Sequence, residues 1–184
     1  MRPINSKSYM SKSPITYRYG RVEDAEAISE LGARVFTSSF ASLLPPNDLA
    51  SYLSEAYSTK NIAADLTNPS VTFVVAAVDT TLVAFLQLRR DTSAQCIDQM
   101  ESKIQLQRLY VSEKCQGLGI GKHLLARAER EARDMGAKNI WLASWKPNHK
   151  AERIYESTGY VKSGEIAFAL GGSKLEDWVM VKSI

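Results

Sequence analysis

The chain has 184 residues, 45% hydrophobic and 23% charged, with a formal net charge of +3, which is the composition of one ordinary globular domain. No apolar run approaches the roughly 18 residues of a membrane span, and the opening MRPINSKSYMSKSP lacks a secretory stretch, so the expectation is a cytoplasmic protein. Cys96 and Cys115 with His123 and His149 fit neither a disulfide framework nor a metal site, and alternating charges in ARAEREARDMG speak against a nucleic-acid stripe.

Residues 1–14, basic and broken by Pro3 and Pro14, read as a disordered tail before a folded domain over residues 15–184. TYRYGR (16–21) alternates as a short strand does, and Glu23 and Asp24 then cap a helix with apolar positions Ile28, Leu31, Val35 and Phe36. Pro45 and Pro46 interrupt. Asn47 and Asp48 open a second helix carrying Leu49, Tyr52, Leu53 and Tyr57, and a third short one covers residues 62–66. The β-branched runs VTFVVAAV (71–78) and LVAFLQL (82–88), separated by Asp79-Thr80-Thr81, read as an antiparallel hairpin.

Residues 89–103 are polar and aperiodic, hence a loop, and IQLQRLYV (104–111) alternates as a strand that runs into a glycine-rich turn. Beyond the turn, Ile120, Leu124, Leu125, Ala128, Ala132 and Met135 recur at helical spacing up to Gly136. NIWLAS (139–144) is a strand, and KPNHKAERIYESTG is a helix opened near Pro147 and stopped by Gly159. YVKSGEIAFAL and LEDWVMVKSI flank Gly171-Gly172-Ser173 as a closing hairpin. The order is that of a single α/β domain.

The turn itself is CQGLGIGK. Between a strand and a helix, such a turn aims unpaired helix-start amides at one spot, beside the positive end of the helix dipole, and that spot suits phosphate. A dinucleotide fingerprint fails because its third glycine would fall on Lys122, and a P-loop fails because Gln116 and His123 stand at its first glycine and its hydroxyl. Alternate glycines also occur in turns that bind nothing.

What remains is Q-x-x-G-x-G, formed by Gln116, Gly119 and Gly121 after Leu109-Tyr110-Val111. This resembles the signature of the GNAT superfamily of N-acetyltransferases. The same order of motifs continues in N-x-x-A-x-x-x-Y at Asn148, Ala151 and Tyr155, then Gly159-Tyr160, and from residue 16 onward it looks like the PaiA-type branch, whose members acetylate polyamines. The resemblance implies a mixed, mostly antiparallel central sheet flanked by helices, with acetyl-CoA as co-substrate. It implies that Gln116, Gly117, Leu118, Gly119, Ile120, Gly121 and Lys122 cradle the pyrophosphate. Leu109, Tyr110 and Val111 would lie along the pantetheine arm, and Asn148 and Lys150 would add polar contacts.

Acetyl transfer needs a neutral amine, donors for the carbonyl oxygen and an acid for the departing thiolate. Tyr155, a phenol with an ordinary pKa of about 10, is the general acid by this resemblance. The oxyanion donor would be the strand amide of Tyr110 or a neighbour. Many family members carry a glutamate on the strand before the loop, but here Gln105 and Gln107 stand there, so a water chain or a carboxylate such as Glu30 must deprotonate the amine. Lys122 and, further along, Arg127 are the cations available near the phosphates.

The acceptor pocket is expected from the helical first third and the long loop, with Phe36, Phe40 and Trp145 as substrate-binding residues and Tyr52, Glu55, Asp98 and Glu101 near them. The expected partner is a small-molecule amine, a polyamine or diamine, with no nucleic acid or membrane partner. A protein lysine or N-terminus is the alternative acceptor, and a non-catalytic acyl-CoA binding module the alternative class. A homodimer pairing through the closing strands is a further expectation.

Overall fold

The computed structural model describes residues 13–170 and 173–184. Within them the chain runs β1 (Ile15–Tyr19), α1 (Ala25–Phe40), α2 (Pro46–Ala56), α3 (Thr59–Thr67), β2 (Val71–Val78) and β3 (Thr81–Arg89). It continues through β4 (Lys103–Val111), α4 (Ile120–Asp134), β5 (Asn139–Trp145), α5 (His149–Ser157), β6 (Val161–Leu170) and β7 (Ser173–Ser183). Most of the expected tail and Gly171-Gly172 of the closing turn lie outside the described residues. No helix among the described residues is long and apolar enough to cross a membrane.

The strands form one sheet in the order β1-β2-β3-β4-β5-β7-β6, antiparallel throughout except for β4 against β5. Strand alternation sends side chains to two faces. Val74, Ala76, Leu86, Leu88, Ile104, Leu106, Ile140, Leu142 and Met180 pack with Leu124, Leu125, Ala128 and Ala132 of α4. On the other face Val71, Phe73, Val75 and Phe85 meet Ile28, Leu31 and Val35 of α1 and Ile62 of α3. Each fully buried Leu, Ile or Phe stabilises by about 1.5–3 kcal/mol, so this two-sided core fixes the sheet.

Element ends shift by up to three residues from the sequence reading, and two differences have local reasons. The first strand stops at Tyr19 because Asp24 folds back, accepting the Arg21 backbone N–H at 2.8 Å and the Arg18 guanidinium at 2.6 and 2.8 Å. The segment expected as a plain loop before β4 contains a 3-10 turn, Gln95–Ile97, which sets Ala94 and Ile97 against Trp141, Val179 and Val181. Three residues are too few for a periodic signal.

The pairing of β4 positions everything functional. In its register with β3, Leu88 faces Leu106 and Gln87 faces Arg108, so Gln107 is an extra residue, a β-bulge. With β5 it pairs only through Lys103–Asn139, Ile104–Ile140 and Gln105–Trp141. Beyond that point β4 stays with β3 to Val111, while β5 stays with β7 to Trp145. The two strands therefore diverge and leave a wedge in the middle of the sheet.

Gly32, inside α1, is where the helix presses on the wall of this wedge. A Cβ there would lie 2.6 and 2.7 Å from Cδ1 and Cε1 of the buried Tyr57 ring. Gly32→Ala should therefore destabilise by about 1–3 kcal/mol in urea unfolding, the overpacking cost outweighing the helix-propensity gain of under about 1 kcal/mol. Unchanged or higher stability would show that Tyr57 yields freely.

Candidate active site

The wedge opens onto the glycine turn. Gly117 and Gly119 have φ of 82° and 81°, a left-handed conformation that glycine adopts without strain, and a Cβ at either would meet nothing within 4 Å. The glycines are thus required by backbone direction, and the space in front of them is open. Ile120, 1% exposed, pins the start of α4 to the core, and Leu118, 59% exposed, stands at the tip of the turn. The first amide paired across the turn is His123, which donates to the Gly119 carbonyl at 3.0 Å. By helix geometry the amides of Ile120, Gly121 and Lys122 have no intrahelical acceptor.

The strand register separates the three residues expected along the pantetheine. The Ser112 N–H donates to the Val83 carbonyl at 2.8 Å, and Phe85 faces Tyr110 two places on. Main-chain direction alternates along a strand, so Tyr110 turns its backbone groups to β3, whereas Leu109 and Val111 turn theirs to the wedge. The Val111 carbonyl indeed accepts from Gln116 Nε2 at 3.2 Å. Of the amides expected there, Tyr110 or a neighbour, the register turns that of Tyr110 to β3 and those of its neighbours to the gap.

The start of α5 closes on the turn. Asn148 is the N-cap, its Oδ1 accepting the Ala151 N–H at 3.2 Å, and Lys150 Nζ donates to Gln116 Oε1 at 2.8 Å. The helix is held down by Lys162, which bridges to Glu152 and, at 3.8 Å, to Glu156. At its end Gly159 takes φ 94°, and Tyr160 turns back so that its N–H donates to the Tyr155 carbonyl at 3.1 Å. The buried Tyr160 ring then lies 5.7 Å from the Tyr155 ring, edge on. The GY pair thus sets a buried ring against Tyr155 at the end of the helix. Burial, with the nearby Tyr110, pushes the Tyr155 phenol up to about 12.

Behind the wedge, on the face of α1 and α2, the expected acceptor residues come together. Phe36 lies 4.3 Å from Phe40 and 4.6 Å from Tyr52, and Phe40 lies 5.0 Å from Trp145. Phe36 is buried, so its contribution is packing, with Phe40 and Trp145 partly open. Tyr110 points its side chain here and shares a 2.6 Å hydrogen bond with the Tyr57 hydroxyl. Burial raises both phenols, Tyr110 to about 12. Arg108 lies 4.9 Å over the Tyr57 ring and donates to Gln87 Oε1 at 2.9 Å and the Ala56 carbonyl at 3.1 Å.

Sequence reasoning missed one acid. Asp177 of β7 faces Trp145 across the sheet, its Oδ1 is buried without a hydrogen-bond partner among the described residues, and burial alone raises its carboxyl to about 6. The available signal was alternation: Leu175, Asp177, Val179 and Val181 share one face of the strand, and only one of them is charged. The acids that were expected lie elsewhere. Glu30, Glu55, Asp98 and Glu101 are exposed, and Asp98 accepts a short hydrogen bond from Ser93. Arg127 is engaged away from the turn, 2.5 Å from Glu131. A depression of about 390 Å³ lined by Tyr19, Leu66, Phe73, Glu131 and Met135 shares no residue with the wedge.

A family model described as "Acetyltransferase (GNAT) family" matches residues 37–160. An uncharacterized N-acetyltransferase of Lactobacillus delbrueckii subsp. lactis is 25% identical over 162 residues, 88% of this chain and 93% of that protein. A spermidine N(1)-acetyltransferase of Thermoplasma acidophilum is 24% identical over 143 residues, covering 76% and 83%. Among solved structures, the PaiA N-acetyltransferase of Thermoplasma acidophilum in complex with coenzyme A superposes with a TM-score of 0.74 at 24% identity, over 93% of this chain and 99% of that one.

The cap at Asn148 gives a stability prediction. Asn148→Ala should cost about 1 kcal/mol in thermal unfolding, and Asn148→Asp, which keeps the acceptor, should cost little. Equal losses in both variants would mean that the side chain is held by something other than the cap.

Proposed function

This chain belongs to the acetyltransferase (GNAT) family, and on that premise we propose that it moves the acetyl group of acetyl-CoA to a primary amine of a small molecule, a polyamine or diamine. The observation that carries this reading is the wedge between β4 and β5, because it joins an open glycine turn on one face of the sheet to a cluster of aromatic side chains, Phe40 and Trp145 partly open, on the other. Donor and acceptor then approach the same gap from opposite sides.

Acetyl-CoA supplies the acetyl group already activated as a thioester. The residues fit such a donor. The amides of Ile120, Gly121 and Lys122, with Gln116, Gly117, Leu118 and Gly119, form a cradle for the pyrophosphate at the positive end of the α4 dipole. Lys122 and Lys150 supply charge, Lys150 after leaving Gln116. The main-chain groups of Leu109 and Val111 pair with an extended amide chain as a neighbouring strand would, and one of their amides is the donor for the carbonyl oxygen. The Asn148 Oδ1 is committed to its cap, which leaves Nδ2 for a ligand carbonyl.

Tyr155 is the acid. A phenol raised to about 12 keeps its proton throughout the neutral range, so the proton is present whenever sulfur departs. The same desolvation that weakens the phenol as an acid strengthens the thiolate as a base, so transfer stays accessible. An amine acceptor suits a cleft walled by Tyr52, Tyr57, Tyr110 and Trp145, since ammonium groups are attracted to ring faces. The relative named as a spermidine acetyltransferase supports the polyamine choice.

Purified protein should release free thiol from acetyl-CoA when given spermidine, spermine or a diamine. Tyr155→Phe should lower kcat by about 10²–10⁴ while leaving acetyl-CoA affinity within about twofold. Full turnover by the Phe variant would remove Tyr155 from the mechanism, and a peptide panel outrunning free amines would move the reading to a protein acceptor. Gly119→Asp puts a carboxylate at the anion cradle and strains the left-handed turn, so acetyl-CoA affinity should fall at least about tenfold. Unchanged affinity would displace the cradle from this turn.

A further inference from the structure

Asp177 stands where β5 ends. Its register neighbours are Trp145 of β5 and Ile166 of β6, neither of which titrates, and it shares the Leu175 and Val179 face, so it looks into the aromatic cleft. Tyr52 from α2 and Tyr110 from β4 both feel its charge. The nearby cations are spoken for. Arg108 bonds Gln87 and the Ala56 carbonyl, and Lys146 bonds Glu165 at 2.5 Å and Glu176 at 3.0 Å while lying over the Trp178 ring on the other face. A carboxylate oxygen is thus withdrawn from water, placed within electrostatic reach of Tyr52 and Tyr110, and given no hydrogen-bond donor among the described residues. What that arrangement lacks is a small cation with N–H donors.

We propose that Asp177 binds the ammonium group of the acceptor amine and takes its proton, so that a neutral nitrogen faces the acetyl carbon across the wedge. The proposal rests on the acetyl transfer set out above and supplies the base that Gln105 and Gln107 are unable to provide. The protons balance as follows. The ammonium gives one proton to Asp177 Oδ1, and the freed nitrogen pair forms the N–C bond as the C–S bond breaks. Sulfur keeps the electron pair of that bond and takes the Tyr155 proton. The second nitrogen proton restores the Tyr155 phenol, and Asp177 loses its proton to solvent as the amide leaves, for a net release of one proton.

Protonation of the free carboxyl at about pH 6 sets the pH signature. Tyr52 and Tyr110, the other titrating groups that face it, are both raised above ordinary phenols. Amine binding should therefore weaken as pH falls through about 6.

The test is calorimetric titration of propylamine, putrescine and spermidine into the full chain saturated with CoA, which needs no turnover. Wild-type protein should bind at least one of them at pH 7.5, more weakly by about tenfold at pH 5. Asp177→Asn should weaken that binding at least about tenfold and lower kcat/KM about 10²-fold with loss of the acid limb, at unchanged CoA affinity and with a melting temperature no lower than that of the wild type. Asp177→Glu should restore part of both. No binding of any amine by the wild type, or amine binding and pH profile retained in Asp177→Asn, overturns the proposal. If Asp177→Asn does not fold, the pH dependence of wild-type binding decides. Amine binding through Asp177 without thiol release would sink the transfer reading and leave the ammonium site standing; thiol release unaffected by Asp177→Asn would do the reverse.

Discussion

The parting of β4 from β5 is the constraint on which the rest depends. Two parallel strands that begin to pair at Lys103 and Asn139 would ordinarily continue, since every unpaired main-chain group costs free energy once water is removed. Here each strand follows its other neighbour instead. Gln107 bulges out of register and bends β4 with β3, and β5 is matched residue by residue to β7 from Asn139 to Trp145. Each strand is satisfied along its outer neighbour, so the open main-chain groups are confined to the few residues that line the gap. A ligand chain with amides of its own can occupy that gap as a strand would.

Because the gap cuts through the sheet, it connects two environments that the sheet otherwise separates. The face with α4 offers amides and a helix dipole, suited to phosphate; the face with α1 and α2 offers ring faces and Asp177, whose Oδ1 has no donor among the described residues, suited to an amine. Tyr110 and Tyr155 interact across it, and each is pushed up to about 12 mainly by burial. Both phenols are partly withdrawn from water there. Electrostatic effects there are strong, and each polar group has to be aimed by something behind it: Tyr155 by the Tyr160 ring, Tyr110 by Tyr57 and, behind that, Arg108, Gln87 and Asp65.

Much of this architecture was legible in the sequence because it rests on period and punctuation. VTFVVAAV became β2 with its expected bounds, Gly136 and Gly159 end their helices in left-handed conformations, and the glycine turn sits between strand and helix as its spacing required. The bulge at Gln107 left no mark, since one extra residue in an alternating run looks the same until the partner strand supplies the register. The direction of the Tyr110 main chain was hidden for the same reason. Asp177 was overlooked because a charged residue inside LEDWVMVKSI reads as the solvent side of a strand unless the neighbours on its own face are counted.

Two part-buried acids show how a fold treats a charge it uses for shape and one it leaves open. The Arg18 guanidinium holds Asp24 below the usual carboxylate range, so its contribution to stability is present above the unfolded pKa and lost as pH falls through the folded one. Asp177 has the opposite sign. Burial raises its carboxyl to about 6, so the stability it contributes is complete only below the unfolded value and is gone once pH has risen through about 6. At neutral pH the fold therefore carries an ionised acid with no donor to Oδ1 among the described residues, a cost that a neutral side chain of the same shape would not impose. A fixed lysine or arginine beside it would remove the penalty and also fill the cleft. A cation that arrives with the acceptor removes the penalty only while the amine is bound, and converts it into affinity at the place where the nitrogen must lie to meet the wedge.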